Sequence, residues 1–247
     1  MILDAWLYPA LFVVAVLYSS VGHGGASGYL AVLSFTALAS REVAVLALVT
    51  NVLVAGVSFV AYRSAKHFDL GLVWPFAVAS IPLAFVGASL KLPPGAYYWA
   101  VAVVLVLAAW RLVLPDRARE PRPLPGMGAR LGMGGVMGFA SGIVGVGGGI
   151  FLSPVLILTG WANAKRAGAA SAAFIVVNSA AGLIPRSGDL AMLQPHDGGL
   201  VASAVAGSLV GSWLGTRKLG LGALRQVLAV VLVFAAVKLA MKAAGAG

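Results

Sequence analysis

From Ala5 to Ser40 the chain runs 36 residues without an Asp, Glu, Lys or Arg, and from Leu131 to Ala164 it does so again for 34. A membrane helix needs about 20 apolar residues to cross about 30 Å of hydrocarbon. As straight helices these two runs would each be roughly 50 Å long, too long for one crossing. Each carries a glycine cluster part-way along: Gly22, Gly24, Gly25 and Gly28 in the first, and Gly142, Gly145, Gly147, Gly148 and Gly149 in the second. The pattern predicts a helix, a broken glycine segment at membrane depth and a shorter half-helix, twice over.

Six other uncharged stretches are each close to one crossing: Val43–Tyr62, Leu70–Leu90, Leu92–Trp110, Ala167–Pro185, Gly198–Thr216 and Leu219–Val237, the last interrupted by Arg225. The 247 residues are 61% apolar and only 10% charged, against about 25% charged in a soluble domain. Soluble globular, disordered and collagen-like chains are excluded, as is an outer-membrane barrel, whose strands alternate polar and apolar. The expected fold is an all-α polytopic membrane protein with about eight hydrophobic segments. With no cysteine there is no disulfide, thiolate metal site or cysteine nucleophile. The first run lacks a basic n-region and a cleavage site, so it is expected to stay in the membrane rather than act as a signal peptide. The net charge is +10, but no basic stripe interleaves with aromatics, so nucleic acid is not an expected partner. The expected partners are the lipid bilayer and a small solute, and a homo-oligomer is left open.

The two halves repeat. Val21-Gly22-His23-Gly24-Gly25-Ala26 matches Val144-Gly145-Val146-Gly147-Gly148-Gly149. Arg63-Ser64 follows Gly22 by 41 residues, and Arg186-Ser187 follows Gly145 by the same 41. Asn51 and Asn178 lie between, one helical turn out of step, and are expected to share a face. A Pro- and Arg-rich linker, 115–130, joins a first repeat over 1–114 to a second over 131–247. Duplicated halves with one broken segment each are a signature of secondary transporters. If each long run crosses once, Lys and Arg divide 10 to 7 between the two sides; if each returns to its own side, they divide 12 to 5. The positive-inside rule favours the second arrangement, inverted repeats with a cytoplasmic linker.

A glycine break leaves free N–H groups at the start of the next half-helix, and these with the helix dipole favour an anion. Ser153-Pro154 resembles a helix start, with Ser153 as N-cap, and Ser27 is a weaker candidate in the first copy. The expected substrate-binding residues are Gly22, His23, Gly24, Gly25, Ser27, Asn51, Gly145, Gly147, Gly148, Gly149, Ser153 and Asn178. The competing readings are close packing for the glycines, a backbone hydrogen bond for His23, helix–helix contact for the asparagines and snorkelling ends for Arg63 and Arg186. Trp6, Trp74, Trp99, Tyr97 and Tyr98 are expected as interfacial anchors. His67 and His196, in loops beside Asp69 and Asp197, are expected to be solvated.

No Walker-type loop is present, so ATP hydrolysis by that route is not expected. All seven acids fall at run edges or in loops, which leaves His23 as the one ionisable group inside a long run. No cofactor, metal or catalytic residue is expected. Two alternatives carry other predictions: an anion channel, and an intramembrane serine protease in which Gly25-Ala26-Ser27-Gly28 would supply the nucleophile Ser27.

The duplicated Gly-x-Gly-Gly segment, with Ser153-Pro154 after the second copy and two four-segment halves around a polar linker, resembles the sulfite exporter TauE/SafE family over about Ala5 to Ala243. This resemblance implies a bacterial inner-membrane, multi-pass transporter of sulfite, sulfoacetate or another organosulfonate. The first copy departs from the fuller glycine pattern at His23 and Ala26 and has no proline equivalent to Pro154.

Overall fold

The computed structural model describes residues 5–36, 38–90, 92–113, 122–217 and 222–245. Ten α-helices follow in order among these residues: α1 (Leu7–Ser19), α2 (Ala26–Leu33), α3 (Ser40–Ser64), α4 (Leu70–Ser89), α5 (Pro94–Val113), α6 (Met127–Val144), α7 (Gly149–Leu158), α8 (Ala164–Leu183), α9 (Asp197–Thr216) and α10 (Gly222–Ala243). A short 3-10 turn, Ser187–Met192, precedes α9. Both long uncharged runs break at their glycines, into α1–α2 and α6–α7. The six shorter runs become α3, α4, α5, α8, α9 and α10. Residues 115–121 of the expected linker lie outside the described residues, and its last four residues, from Met127, already belong to α6.

Five helices among the described residues are long and apolar enough to cross a membrane: α3, α4, α5, α8 and α9. Their ends follow ordinary capping rules. Glu42 and Arg63 sit in the first and last turns of α3, where they complement the helix dipole. Asp69 caps α4 by accepting from Leu72 N, and Asn163 caps α8 by accepting from Arg166 N at 3.0 Å. Helix α10 runs on past Lys238, where the uncharged run stops, because that lysine turns inward. Its Nζ donates to Ser34 O at 3.2 Å, at the end of α2, and lies 4.2 Å from the Phe35 ring. The outer faces of α4, α5, α9 and α10 expose Val78, Phe85, Val103, Trp110, Leu209, Val230 and Phe234, an apolar surface suited to lipid.

Helices α1 and α9 pack together, as do α6 and α4, and both pairs run parallel. Gly207, Gly211 and Gly215 of α9 lie on the carbonyls of Phe12, Val16 and Ser20, where an added Cβ would come within 2.1–2.3 Å. Gly134, Gly138 and Gly142 of α6 lie in the same way on Phe76, Ser80 and Ala84 of α4, at 2.1–2.2 Å. Bare backbone at every fourth residue lets two helices approach this closely. Exchanging the halves turns each of these pairs into the other.

Two pairs of mutually equivalent helices fix the symmetry. Asn51 of α3 bonds Ser179 of α8, while Leu48 lies against Gly182, so α3 and α8 are antiparallel. Gly95 at the start of α5 meets Ala243 at the end of α10, so those two are antiparallel as well. Equivalent helices pointing in opposite directions make the repeats inverted, as the charge distribution predicts.

Each broken run is a hairpin that returns. Ser27 and Gly28 of α2 lie against Tyr18 and Val14 of α1, so α2 runs back along α1. Arg122 N, ahead of α6, donates to Gly160 O, beyond α7, at 3.0 Å, which ties both ends of the second hairpin to one face. The chain therefore has a linker face, holding both ends of α6–α7, and a terminal face, holding the starts of α1, α3 and α5 and the end of α10.

Candidate functional site

The glycine segments turn through left-handed backbone. Gly22 and Gly25 have φ of +76° and +93°; Gly145, Gly147 and Gly148 have +82°, +72° and +78°. These conformations strain any residue with a Cβ. Each hairpin closes alike. His23 N donates to Tyr18 O at 2.9 Å and the equivalent Val146 N to Ser141 O at 3.3 Å. Gly25 and Gly148 then start α2 and α7.

Both segments press on one place, the crossing of α3 and α8. A Cβ on Gly24 would lie 2.0 Å from Asn51 Oδ1 and 3.1 Å from Ile175; one on Gly147 would lie 2.5 Å from Asn51 Nδ2 and 2.8 Å from Ile175. Asn51 is wholly buried. Its Nδ2 donates to Val146 O at 3.2 Å and to Ser179 Oγ at 3.0 Å, and its Oδ1 is buried with no hydrogen-bond partner among the described residues. Asn51 thus ties the second glycine segment to α8 while facing the first.

The equivalence of Asn51 and Asn178 does not hold. Helices α3 and α8 begin at Ser40 and Ala164, and eleven residues on from these stand Asn51 and Ile175. One residue inserted between the second hairpin and α8 shifts the register, so Ile175 takes the symmetric place. Asn178 lies beyond it, and its Nδ2 donates to Phe174 O of its own helix at 2.8 Å.

Ser153 is not an N-cap. Helix α7 starts from Gly148, which places Ser153 and Pro154 inside it, Ser153 buried. A left-handed glycine gives the turn its direction, which a serine at the next plausible start cannot. Ser27 likewise lies within α2, after Gly25, and its Oγ is 2.7 Å from the Tyr18 hydroxyl. His23 is buried, its Nδ1 3.1 Å from Val21 O, and its backbone N donates to Tyr18 O.

The first amides that pair inward are Tyr29 N, to Gly25 O, and Phe151 N, to Gly148 O. Ahead of them, the N–H groups of Gly24 to Gly28 and of Gly147 to Ile150 have no backbone acceptor among the described residues. All of these residues are buried. Two helix N-termini with unspent donors therefore lie inside the protein, back against the Asn51–Ile175 crossing.

On the terminal face, a cavity of about 340 Å³ opens between α3, α4, α5, the end of α6 and the segment that follows α8. Its wall includes Arg41, Tyr97, Ile143, Arg186 and Asp189, and Ala44 reaches it from α3. Arg186 is partly buried. Its Nη1 donates to Gly142 O at 3.0 Å and its Nη2 to Ile143 O at 3.2 Å, carbonyls in the last turn of α6 ahead of the second glycine turn. Burial lowers its pKa from the ordinary value, against the pull of Tyr97 and Asp189. Tyr97, expected as a lipid-facing anchor, instead turns its hydroxyl inward; that oxygen is buried with no hydrogen-bond partner among the described residues. Trp6, Trp74 and Trp99 are exposed as expected.

The linker face is shut at the equivalent place. The Gly22 backbone packs on Gly168, with 2.5 Å left for a Cβ, whereas a Cβ on the equivalent Gly145 would lie 3.6 Å from Leu48 and 3.7 Å from Ala44 O, in ordinary contact. Tyr62 Oη donates to Ser20 O at 2.8 Å, Lys165 Nζ donates to Thr216 O at 2.7 Å, and Arg166 pairs with Asp69. Asp197 is buried, its Oδ2 accepting from Gln194 N at 2.8 Å, while His67 and His196 are partly exposed. Sequence reasoning missed Ser179, Ile175, Gly168 and Tyr18. None has a motif, and each matters only through a neighbour from the other end of a hairpin or the other repeat.

The family profile described as sulfite exporter TauE/SafE matches residues 7–239. The chain belongs to the TauE/SafE family. A relative, the probable membrane transporter protein y4hK of Sinorhizobium fredii (strain NBRC 101917 / NGR234), is 30% identical over 235 residues, 93% of this chain and 95% of its own. No solved structure matches. As a TauE/SafE protein this chain is a multi-pass membrane transporter, and its family is one of transporters rather than enzymes.

Proposed function

We propose that this TauE/SafE protein is a secondary transporter in the bacterial inner membrane that exports a small sulfur-containing anion such as sulfite, sulfoacetate or another organosulfonate. The anion is held by alternating access at the N-termini of α2 and α7. The observation that carries this reading is the pair of buried helix starts, each with unspent N–H donors, meeting the α3–α8 crossing at Asn51. Buried amides without acceptors are costly, and an anion is the partner that both they and the helix dipoles favour. The membrane potential, negative inside, assists exit by about 2.3 kcal/mol per charge per 100 mV, so an exporter needs no carboxylate relay.

The asymmetry of the two faces supports a carrier over an open channel. A cavity reaches in from the terminal face while Gly22 and Gly168 close the linker face. Inverted repeats supply the opposite state when each half adopts the other's contacts. The protease reading loses its ground: Ser27 Oγ faces a tyrosine hydroxyl, and His23 lies against a backbone carbonyl.

The test is sulfite and sulfoacetate flux into proteoliposomes, with anion-dependent thermal stabilisation alongside. Wild type is expected to show both. Gly148→Leu and Asn51→Ala are expected to reduce flux at least tenfold, while Asn178→Ala stays within about threefold because its amide serves its own helix. Absence of flux and of stabilisation with every anion in wild type would overturn the reading.

A further inference from the structure

We propose that the terminal-face cavity is a second anion site, separate from the glycine segments, in which Arg186 captures an oxyanion in exchange for the two α6 carbonyls it now holds. The proposal rests on the reading that the protein carries anions and assigns a residue and a place that reading does not contain.

Arg186 has five N–H donors in a planar fork, and the two carbonyls are neutral acceptors. An oxyanion offers the same fork a charged, bidentate partner, and such bonds are roughly twice as strong as neutral ones. A second donor waits in the same wall, since the Tyr97 hydroxyl is buried with no hydrogen-bond partner among the described residues. Arg41 lines the cavity too, so among the described residues the charged groups in its wall are two cations and Asp189. A volume of about 340 Å³ admits a small oxyanion and several waters.

Capture would also loosen the hairpin. The carbonyls Arg186 holds belong to Gly142 and Ile143, and the left-handed turn begins at Gly145. Releasing them frees the end of α6 next to the segment the anion must reach. The other repeat is built differently. The carbonyl equivalent to Ile143 O is Ser20 O, which takes its bond from the uncharged hydroxyl of Tyr62, the residue that the one-residue shift places opposite Arg186, while the next residue, Arg63, is exposed over the Phe59 ring at 5.9 Å. Charged capture therefore belongs to the terminal face alone.

The test is calorimetric binding of sulfite and sulfoacetate to the full-length protein in detergent. Arg186→Gln is expected to weaken binding at least tenfold and Arg186→Lys severalfold, since a point charge lacks the fork. Tyr97→Phe should weaken it severalfold, and Arg63→Gln should stay within twofold. Because the chain has no cysteine, Gly188→Cys in the cavity wall gives a clean label, and saturating sulfoacetate should slow its alkylation at least fivefold. If Arg186→Gln does not fold, Arg186→Lys, Tyr97→Phe and the cysteine decide. Wild-type binding that is unchanged in the Arg186 and Tyr97 variants would overturn this proposal and leave the transport reading standing. No binding of either anion by wild type would overturn both.

Discussion

At the scale of single residues, the glycines of the two breaks do two jobs, and each has its own signature. Gly147 has φ of +72° and leaves its missing Cβ only 2.4 Å from Ser179 Oγ. Gly56, in the regular interior of α3, has nothing within 4 Å of that point. Gly147→Ala should therefore destabilise by about 2–4 kcal/mol, from left-handed strain and overpacking together. Gly56→Ala should be neutral or stabilise by about 0.5–1 kcal/mol through helix propensity. Thermal unfolding of the two purified variants checks the contrast. Equal stabilities would mean that the segment is not held against α3 and α8.

Between elements, close approach of bare backbones holds the fold together. The α1–α9 and α4–α6 pairs are parallel, are exchanged by the two-fold relation and use glycine every fourth residue. The glycines are placed differently, however: the first helix of the second repeat carries them in one pair and the fourth helix of that repeat in the other. Gly138→Val would drive its side chain into Ser80 O, and Gly211→Val would do the same at Val16 O. Each should cost about 3 kcal/mol. Both should lower the midpoint of thermal unfolding by similar amounts, because the two interfaces are equivalents. A variant as stable as wild type would mean that its helix pair is not packed backbone to backbone.

At the scale of the whole molecule, one returning hairpin and three long helices per repeat place the start of α1 and the end of α10 on one face, and the end of α5 and the start of α6, which flank the linker, on the other. The 12 to 5 division of Lys and Arg predicts that the linker face is the cytoplasmic one. Single cysteines make this testable in a cysteine-free chain. Gly126→Cys, just ahead of α6, should be shielded from an impermeant maleimide in intact spheroplasts, and Gly188→Cys should be labelled. The opposite pattern would reverse the orientation, and equal labelling of both would deny the inverted arrangement.

Hydropathy and glycine spacing carried much of this architecture. An uncharged run measures a crossing because charge is expelled from hydrocarbon, so the six ordinary helices and the two broken runs were legible residue by residue. The ruler placed the helices to within a few residues: α3, α5, α6 and α8 take in charged residues at their ends, and α10 runs on past Lys238, whose long stem reaches the end of α2. The sequence by itself determined that the chain lies in a membrane, that it is duplicated, that it breaks twice at glycines and that its repeats are inverted. Tertiary structure alone decided that Asn51 pairs across to Ser179 while Asn178 serves its own helix, that α7 starts from Gly148 rather than Ser153, and that Arg186 and Tyr97 turn into a cavity instead of toward lipid. The reason is physical. Burial in lipid acts on each residue singly and leaves its trace in composition and period, whereas partnership across the α3–α8 crossing depends on a one-residue offset between repeats that neither periodicity nor motif records.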